Sequence, residues 1–431
     1  MYITRPHVKG YFLELTANTP QQLRHTNMSA VLSVMRRSGA LTGTDLIEAT
    51  GLARATVIAV CDDLIGAGWV HELPSQRTAI QKGRPARVFE FDARAGVVVG
   101  LDFGVAKTTA LVADLRGKIL AKATESLGEF TAPDSERLAS IDAAIQTALA
   151  AAGVTPDAVL VAGLGIAAPV DRKGNISHSQ PFWENFDIGI QETLRDRYGW
   201  PVLLANDANL AAMAERWMGA GAGVDDLAVM LAGERIGFGL MESGRLLHGA
   251  SGRTGEVGLL HLVEGVGTPE GIALLAREMA VEACKKGAPQ TLLTSLTTGT
   301  DTSTAAGPED ASIDGDAVGG DGGISAEAVF DAAARGDKVA GHILDTIARR
   351  MARVIALIAT FNDPELVVIG GAVAASSAVM LPTLQQELAK FMPNPPRVAV
   401  STLGDAIVTL GAVRLALDYV ERNALDLVPG S

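Results

Sequence analysis

The sequence predicts a two-part α/β chain, a small helical head joined to a large, internally duplicated body with a cleft. Three observations lead there. Charge is unevenly spread: residues 1–95 carry eleven Lys/Arg against eight Asp/Glu, a net of +3, whereas the remainder carries a net of −16. Helical periodicity recurs around a short glycine turn within residues 28–66, and a basic loop between two short apolar runs follows it. From residue 96 a pattern of strand, turn, strand, polar turn, strand sets in, and it returns near residue 227. With 431 residues, 48% of them hydrophobic and 20% charged, the chain has enough apolar surface for several cores and is not a disordered one.

The head comes first. In NMSAVLSVMRRSGAL, Met28, Val31, Leu32 and Met35 stand at i, i+3, i+4 and i+7, one helical face that Gly39 ends. TGTDLIEATGL makes a short second helix stopping near Gly51. LARATVIAVCDDLIGAGWV repeats the spacing with Val57, Val60, Cys61 and Leu64. Two short helices across a glycine turn suit a helix-turn-helix, and also a plain three-helix core. WVHEL and RVFEF read as paired strands around PSQRTAIQKGRPA, which holds Arg77, Lys82 and Arg84 and no acid, with Arg87 close behind. A winged helix-turn-helix over residues 1–92 accounts for both features. Such a head offers the N-terminal residues of its second helix, Arg54 and Thr56, to the major groove, and the wing to phosphates and the minor groove.

The body follows as β-runs and helices. AGVVVGLDFG is a buried strand ending at Asp102, and KTTALVADLRGKILAKATESL adds two strands joined at DLRGK. DAVLVAGLGIAAPVD is a fourth apolar run, and PVLLA enters a helix through Asn206-Asp207-Ala208-Asn209. DDLAVMLAGERIGFGLMESGRLLHG then repeats the first meander, and ELVVIGGAV follows a long helix over residues 338–361. Residues 294–325 are rich in Thr, Gly, Asp and Ala and read as a mobile insertion. Residues 1–20 lack the apolar block of a secretion signal, and no apolar run is long enough to span a bilayer, so a cytoplasmic location is expected. Cys61 and Cys284 are far apart and match no disulfide or zinc pattern.

The stretch LAGERIGFGL poses a question of its own. Glycines 233, 237 and 239 could let backbone N–H groups wrap a phosphate, yet most such turns only need φ > 0. The segments around it supply context. TGLARATV, DDLIGAG, KGRPA, LDFG, GLGIAAPVD, ANDANLAA, GRTGEVG, DPELVVIGGAV and LGDAIVTLGA, in that order, resemble the ROK family of repressors and sugar kinases along nearly the whole chain. The resemblance implies an N-terminal winged helix-turn-helix followed by a two-lobed actin/hexokinase-like (ribonuclease H-like) ROK domain. Its small lobe would comprise residues 96–207 plus about 405–425, and its large lobe residues 208–404 with the insertion. Because the family's kinases generally begin near VVVGLDFG, the head resembles the repressor branch.

The departures from the family matter as much as the likeness. An Asp-x-Gly-Gly-Thr phosphate loop stands here as Asp102-Phe103-Gly104-Val105-Ala106, and Gly-Thr-Gly-Ile-Gly-Gly-Gly stands as Gly233-Glu234-Arg235-Ile236-Gly237-Phe238-Gly239. Val105 and Ala106 remove a close backbone approach and a hydroxyl. Glu234 is expected to add negative charge beside a polyphosphate, and Arg235 and Phe238 to fill its space. The pair of altered loops implies a former nucleotide loop, no catalytic residue and no cofactor. On the sugar side the resemblance implies ligand contacts by Asn206, Asp207 (the place of the kinases' general base), Glu256 and Glu270. Helix capping is the other role open to Asn206 and Asp207. The family histidine falls at Leu259, and His261 could replace it if that segment is a strand, where alternate residues share a face. HLVEGVGTPEGIA holds no cysteine, so no zinc or other metal is expected.

These readings lead to a regulator, expected as a repressor, that binds a double-stranded DNA operator as a homodimer or tetramer. A carbohydrate or sugar phosphate would be its effector, and no membrane its partner. Two alternatives remain open: a sugar kinase carrying a DNA-binding head, and a ligand-independent regulator with a vestigial cleft.

Overall fold

A computed structural model of the chain describes residues 19–74, 86–127, 132–287, 291–294 and 324–427. The expected wing tip with Arg77, Lys82 and Arg84, and residues 295–323 of the expected insertion, lie outside the described residues. The chain divides into two units, one running to Ala95 and taken up again from Asn423, the other spanning Gly96–Arg422.

In the first unit, α1 (Pro20–Arg37), α2 (Gly43–Thr50) and α3 (Arg54–Gly66) accompany β1 (Leu41–Thr42), β2 (Val70–Leu73) and β3 (Val88–Phe91). The strands form an antiparallel sheet ordered β1-β3-β2. Capping boxes start two of the helices: Thr19 and Gln22 exchange side-chain and backbone bonds at α1, and Thr42 and Asp45 do so at α2. Gly51 ends α2 at φ +70°, where a side chain would be strained. The faces read from the spacing are buried together: Val31, Leu32 and Met35 of α1, Leu46 of α2, and Val57, Val60, Cys61 and Leu64 of α3. Trp69, Phe89 and Phe91 complete this core. β1 is not predicted by the sequence, because two residues are too few to show an alternation.

The second unit is built on two sheets of the same plan. β4 (Val97–Phe103), β5 (Lys107–Asp114), β6 (Ile119–Ser126), β7 (Val159–Ile166) and β8 (Val202–Asn206) lie in the order β6-β5-β4-β7-β8. β9 (Leu227–Ala232), β10 (Ile236–Glu242), β11 (Arg245–Leu246), β12 (Leu366–Gly370) and β13 (Arg397–Val400) lie in the order β11-β10-β9-β12-β13. In each, an antiparallel meander is extended by two parallel strands. The repeated pattern in the sequence is thus a repeated topology.

Helices complete three layers around these sheets. They are α4 (Asp134–Ala152), α5 (Pro181–Glu184), α6 (Ile190–Tyr198), α7 (Asp207–Met218), α8 (Ile272–Lys285), α9 (Ala326–Ala334), α10 (Lys338–Asn362), α11 (Ala374–Ser377), α12 (Leu381–Phe391) and α13 (Ile407–Asn423). On the first sheet's outer face, Val97, Val99, Leu101 and Phe103 pack with Ile141 and Ile145 of α4 and Leu194 of α6. On the second sheet's outer face, Met230, Phe238 and Ile369 pack with residues of α8, α9, α10 and α12. α7 and α13 lie between the two inner faces, and glycines let them approach. An added Cβ would stand 2.2 Å from the Ala412 carbonyl at Gly163, and 2.0 Å from the Ala208 carbonyl at Gly239. The two helices meet each other at Gly411, where a Cβ would stand 2.0 Å from the Leu210 carbonyl.

Among the described residues the chain passes between the sheets twice, once through α7 and once after β13. A fully buried Glu215 near the end of α7 ties the two passages together. Its carboxylate accepts the Ser401 hydroxyl at 2.5 Å and the Ala220 N–H at 2.7 Å. Among the described residues no helix is long and apolar enough to cross a membrane.

Candidate functional site

The N-termini of α7 and the approach to α13 point to the same place, and acids gather there. β8 ends in Asn206, 7% exposed, whose Oδ1 accepts the Asn209 N–H at 3.1 Å while its Nδ2 donates to the Ala168 carbonyl at 3.2 Å. Asn206 is therefore the N-cap of α7, the capping role that its sequence position left open. Asp207 is the first helical residue, its carboxylate accepting the Ala208 N–H at 2.7 Å. Burial pushes that carboxyl up to about 6 despite its backbone donors.

Two further acids feel Asp207. Alternation along β4 puts Asp102 on the same face as Gly100, which packs against Thr409 and Val413 of α13. Burial first, then the charge of Asp207, push Asp102 up to about 7, with Lys107 opposing and Asp405 adding to the rise. Glu256 is held by a backbone bridge to Gly237 and by the Phe238 N–H donating to the Gly255 carbonyl at 3.1 Å. Burial and then Asp207 push Glu256 up to about 7, against the opposing charge of Arg235. Asp102 and Glu256 are pushed to about 7 and Asp207 to about 6, so the group of three holds protons in part near neutrality and can both accept from and donate to hydroxyl groups. That suits a polyol.

The two glycine turns are built differently. In the first, the Gly104 N–H donates to the Lys107 carbonyl at 3.1 Å. The Lys107 and Lys122 ammonium groups converge on Asp405 at 3.7 and 3.2 Å. The second turn is fastened to α8. The Gly233 carbonyl accepts the Ala273 N–H at 3.1 Å, and the Glu234 carbonyl accepts the Gly271 N–H at 2.7 Å. The Glu234 carboxylate takes two bonds from Arg277, at 2.6 and 2.5 Å. So the charge of Glu234 is met by α8, and LAGERIGFGL is a β9–β10 hairpin. Phe238, expected to fill phosphate space, is instead 1% exposed in the outer core, because its strand alternation turns it away from α7.

Three other expected site residues have surroundings that the sequence does not show. Glu270 forms an ion pair at 3.6 Å with the Arg350 guanidinium, which also donates to the Val266 carbonyl at 2.7 Å and to the Thr268 carbonyl. His261 sits exposed in a single 3-10 turn, Leu260–Leu262, so the same-face argument for a strand does not apply. Arg87 is not a bare phosphate contact. It donates to Asp62 at 2.7 Å and Glu72 at 2.8 Å and lies over the Phe89 ring, fixing β3 to α3 and β2. Arg54, the first residue of α3, is exposed, and Thr56 is half-buried. Asp102 and the Lys107–Lys122–Asp405 cluster were missed as members of the cleft. Asp102 could have been found from the period-2 face that it shares with Gly100.

Comparison with known proteins agrees with this construction. The ROK family profile matches residues 98–419. A xylose repressor of Caldicellulosiruptor bescii is 24% identical over 412 residues, spanning 92% of this chain and 96% of that protein. A glucokinase of Halalkalibacterium halodurans is 29% identical over 263 residues, spanning 58% of this chain and 74% of that one. The crystal structure of a ROK family transcriptional regulator, a homologue of the E. coli MLC protein, superposes with a TM-score of 0.72 at 20% identity. It covers 95% of this chain and 100% of its own. Two sheets of one topology around a central helix pair, with the acids at the helix N-termini, are therefore the ROK actin/hexokinase-like fold, and this chain belongs to the ROK family.

Proposed function

We propose that the chain is a sugar-responsive transcriptional repressor whose head is a winged helix-turn-helix and whose cleft is a sensor rather than a kinase site. The observation that carries this reading is coverage. Likeness to a xylose repressor runs through 92% of the chain, first unit included, whereas likeness to a glucokinase covers 58%. The helix order and the antiparallel β2–β3 pair of the first unit suit such a head. In it, α3 would read base edges with Arg54 and Thr56, while Arg77, Lys82 and Arg84 contact phosphates and the minor groove. Arg87 would hold the wing in register for them.

In the cleft, Asp207 and Glu256 would bond sugar hydroxyls, with Asn206 shaping the α7 terminus and Asp102 beneath. A glycine-rich turn bolted to α8 and a first turn carrying Val105 and Ala106 leave little for a triphosphate, so no catalysis is assigned. Sugar binding between lobes would alter closure and so the presentation of paired heads on a two-fold operator.

The test is selection of duplexes from a random pool by the full chain, followed by anisotropy with a sugar panel and an ATP-consumption assay on the same panel. An enriched duplex whose affinity changes with one sugar, and no ATP consumption, is the expected result. Steady sugar-dependent ATP turnover abolished by Asp207→Asn would overturn the sensor reading, and no enrichment would overturn the DNA reading.

A further inference from the structure

Arg235 is the residue of the cleft that neither the fold nor the proposed reading uses. The geometry points to Arg235 as a receptor for an anionic substituent, so that the effector is an acidic carbohydrate derivative, a phosphate ester or a carboxylate, rather than a neutral sugar. This rests on the reading of Asp207 and Glu256 as the sugar site.

Backbone placement is the first support. Arg235 bridges Glu270 and Gly237 bridges Glu256, so both sides of this segment are pinned. Arg235, Gly237 and Gly239 alternate onto one face of β10 and its lead-in. That face looks at α7: an added Cβ at Gly237 would meet Ala208 at 3.5 Å, and one at Gly239 the Ala208 carbonyl at 2.0 Å. Asp207 is the neighbour of Ala208. Arg235 therefore extends on the side where the helix begins and the acids sit.

The state of the guanidinium is the second support. It stands over the Phe182 ring of α5, 5.9 Å from the centroid. It makes no hydrogen bond and no ion pair among the described residues, although its field reaches Glu256. Its neighbours are all committed: Arg277 to Glu234, Arg350 to Glu270, and Lys107 to Asp405. A planar cation held on an aromatic face, with its N–H fork open beside hydroxyl-binding carboxyls, matches the two oxygens of a phosphate or carboxylate, whereas a neutral hydroxyl offers it a single uncharged acceptor. The surrounding acids select against a free anion, so the charge must arrive attached to a sugar ring that they bind.

The experiment measures Kd by calorimetry for glucose, glucose 6-phosphate and glucuronate, for mannose and mannose 6-phosphate, and for inorganic phosphate. The protein is the full chain, wild type, Arg235→Met, Arg235→Lys and Asp207→Asn. An acidic member is expected to bind at least about tenfold tighter than its neutral parent, consistent with about 1.4 kcal/mol. Arg235→Met should erase that preference while leaving the parent's Kd unchanged, and Arg235→Lys should restore part of it. Preference for the ester over glucuronate, or the reverse, identifies which anion the fork accepts. Neutral sugars that bind as tightly as their acidic partners, with loss in Asp207→Asn, would sink the role of Arg235 and leave the sugar site standing. Binding of inorganic phosphate alone, or of no member, would remove both.

Discussion

The two sheets of the body carry equivalent first turns, residues 104–106 between β4 and β5 and residues 233–235 between β9 and β10, and the turns have diverged in opposite ways. The first lost polarity: Val105 and Ala106 add no hydrogen-bonding side chain, and its neighbouring lysines are drawn to Asp405. The second gained charge, with Glu234 spent on Arg277 and Arg235 left to the cleft. One topology thus carries two different turn chemistries. The scaffold is held by glycine contacts elsewhere, so turn chemistry is free to change.

The sharpest way to break that contrast is to test whether scaffold glycines and turn glycines differ. Gly239→Val puts a side chain against the Ala208 backbone, where even a Cβ would stand at 2.0 Å. It should cost more than about 3 kcal/mol or abolish folding. Gly104→Ala meets only the Lys107 carbonyl at 3.2 Å and should cost under about 1 kcal/mol. Urea titrations of both variants give the comparison, and equal losses would erase the distinction.

A smaller effect should come from the fastening of the second turn. Glu234→Gln keeps shape and removes the charge that meets Arg277 in a half-buried pair. A loss of about 1 kcal/mol in urea is expected, with most of it recovered in a double variant that also carries Arg277→Met. No recovery would mean that the pair does not act as a unit.

Of similar size is the pH response of the acid beneath the first turn. Asp102 titrates near 7 in the folded chain against an ordinary 3.8, through burial and then Asp207, with Lys107 and Asp405 as its other charged neighbours. The native state thus keeps a proton that the unfolded chain releases. Stability is complete below the ordinary value and is lost as pH rises through about 7. Asp102→Asn should therefore melt higher than wild type at pH 8, by at least about 2 °C, with the difference shrinking as the pH is lowered toward the ordinary value, below which folded and unfolded chains both hold the proton. A variant that melts lower at both would assign Asp102 to a hydrogen bond that Asn cannot reproduce.

Least affected should be Leu259, 67% exposed at the position of the family histidine. Leu259→Ser is expected to move stability by no more than about 0.5 kcal/mol, and calorimetric scans with and without a chelator should coincide. A chelator-dependent melting temperature would expose a metal site that the sequence denies.

Periodicity made the repeated meander and the buried faces of the first three helices legible, because each residue there answers to one neighbouring surface. The same spacing was silent about β1 and β13, short strands whose residues are recruited by an existing edge. In the site, motif order located Asn206, Asp207 and Glu256 in the chain, but order alone says nothing about which side chain is already engaged. Glu270 and Arg87 read as ligand groups in a linear chain and prove to have partners 80 and 25 residues away. Asp102 reads as the end of a buried strand and the start of the family's phosphate-loop motif, whereas its charged surroundings come from α7 and from the segment before α13.

The bond between Glu215 and Ser401 couples the two places where, among the described residues, the polypeptide passes between the sheets. Two crossovers that share a buried bond are linked to each other as well as to the sheets, so a shift at one is felt at the other. Glu215→Gln would loosen that link without touching the acids at the mouth.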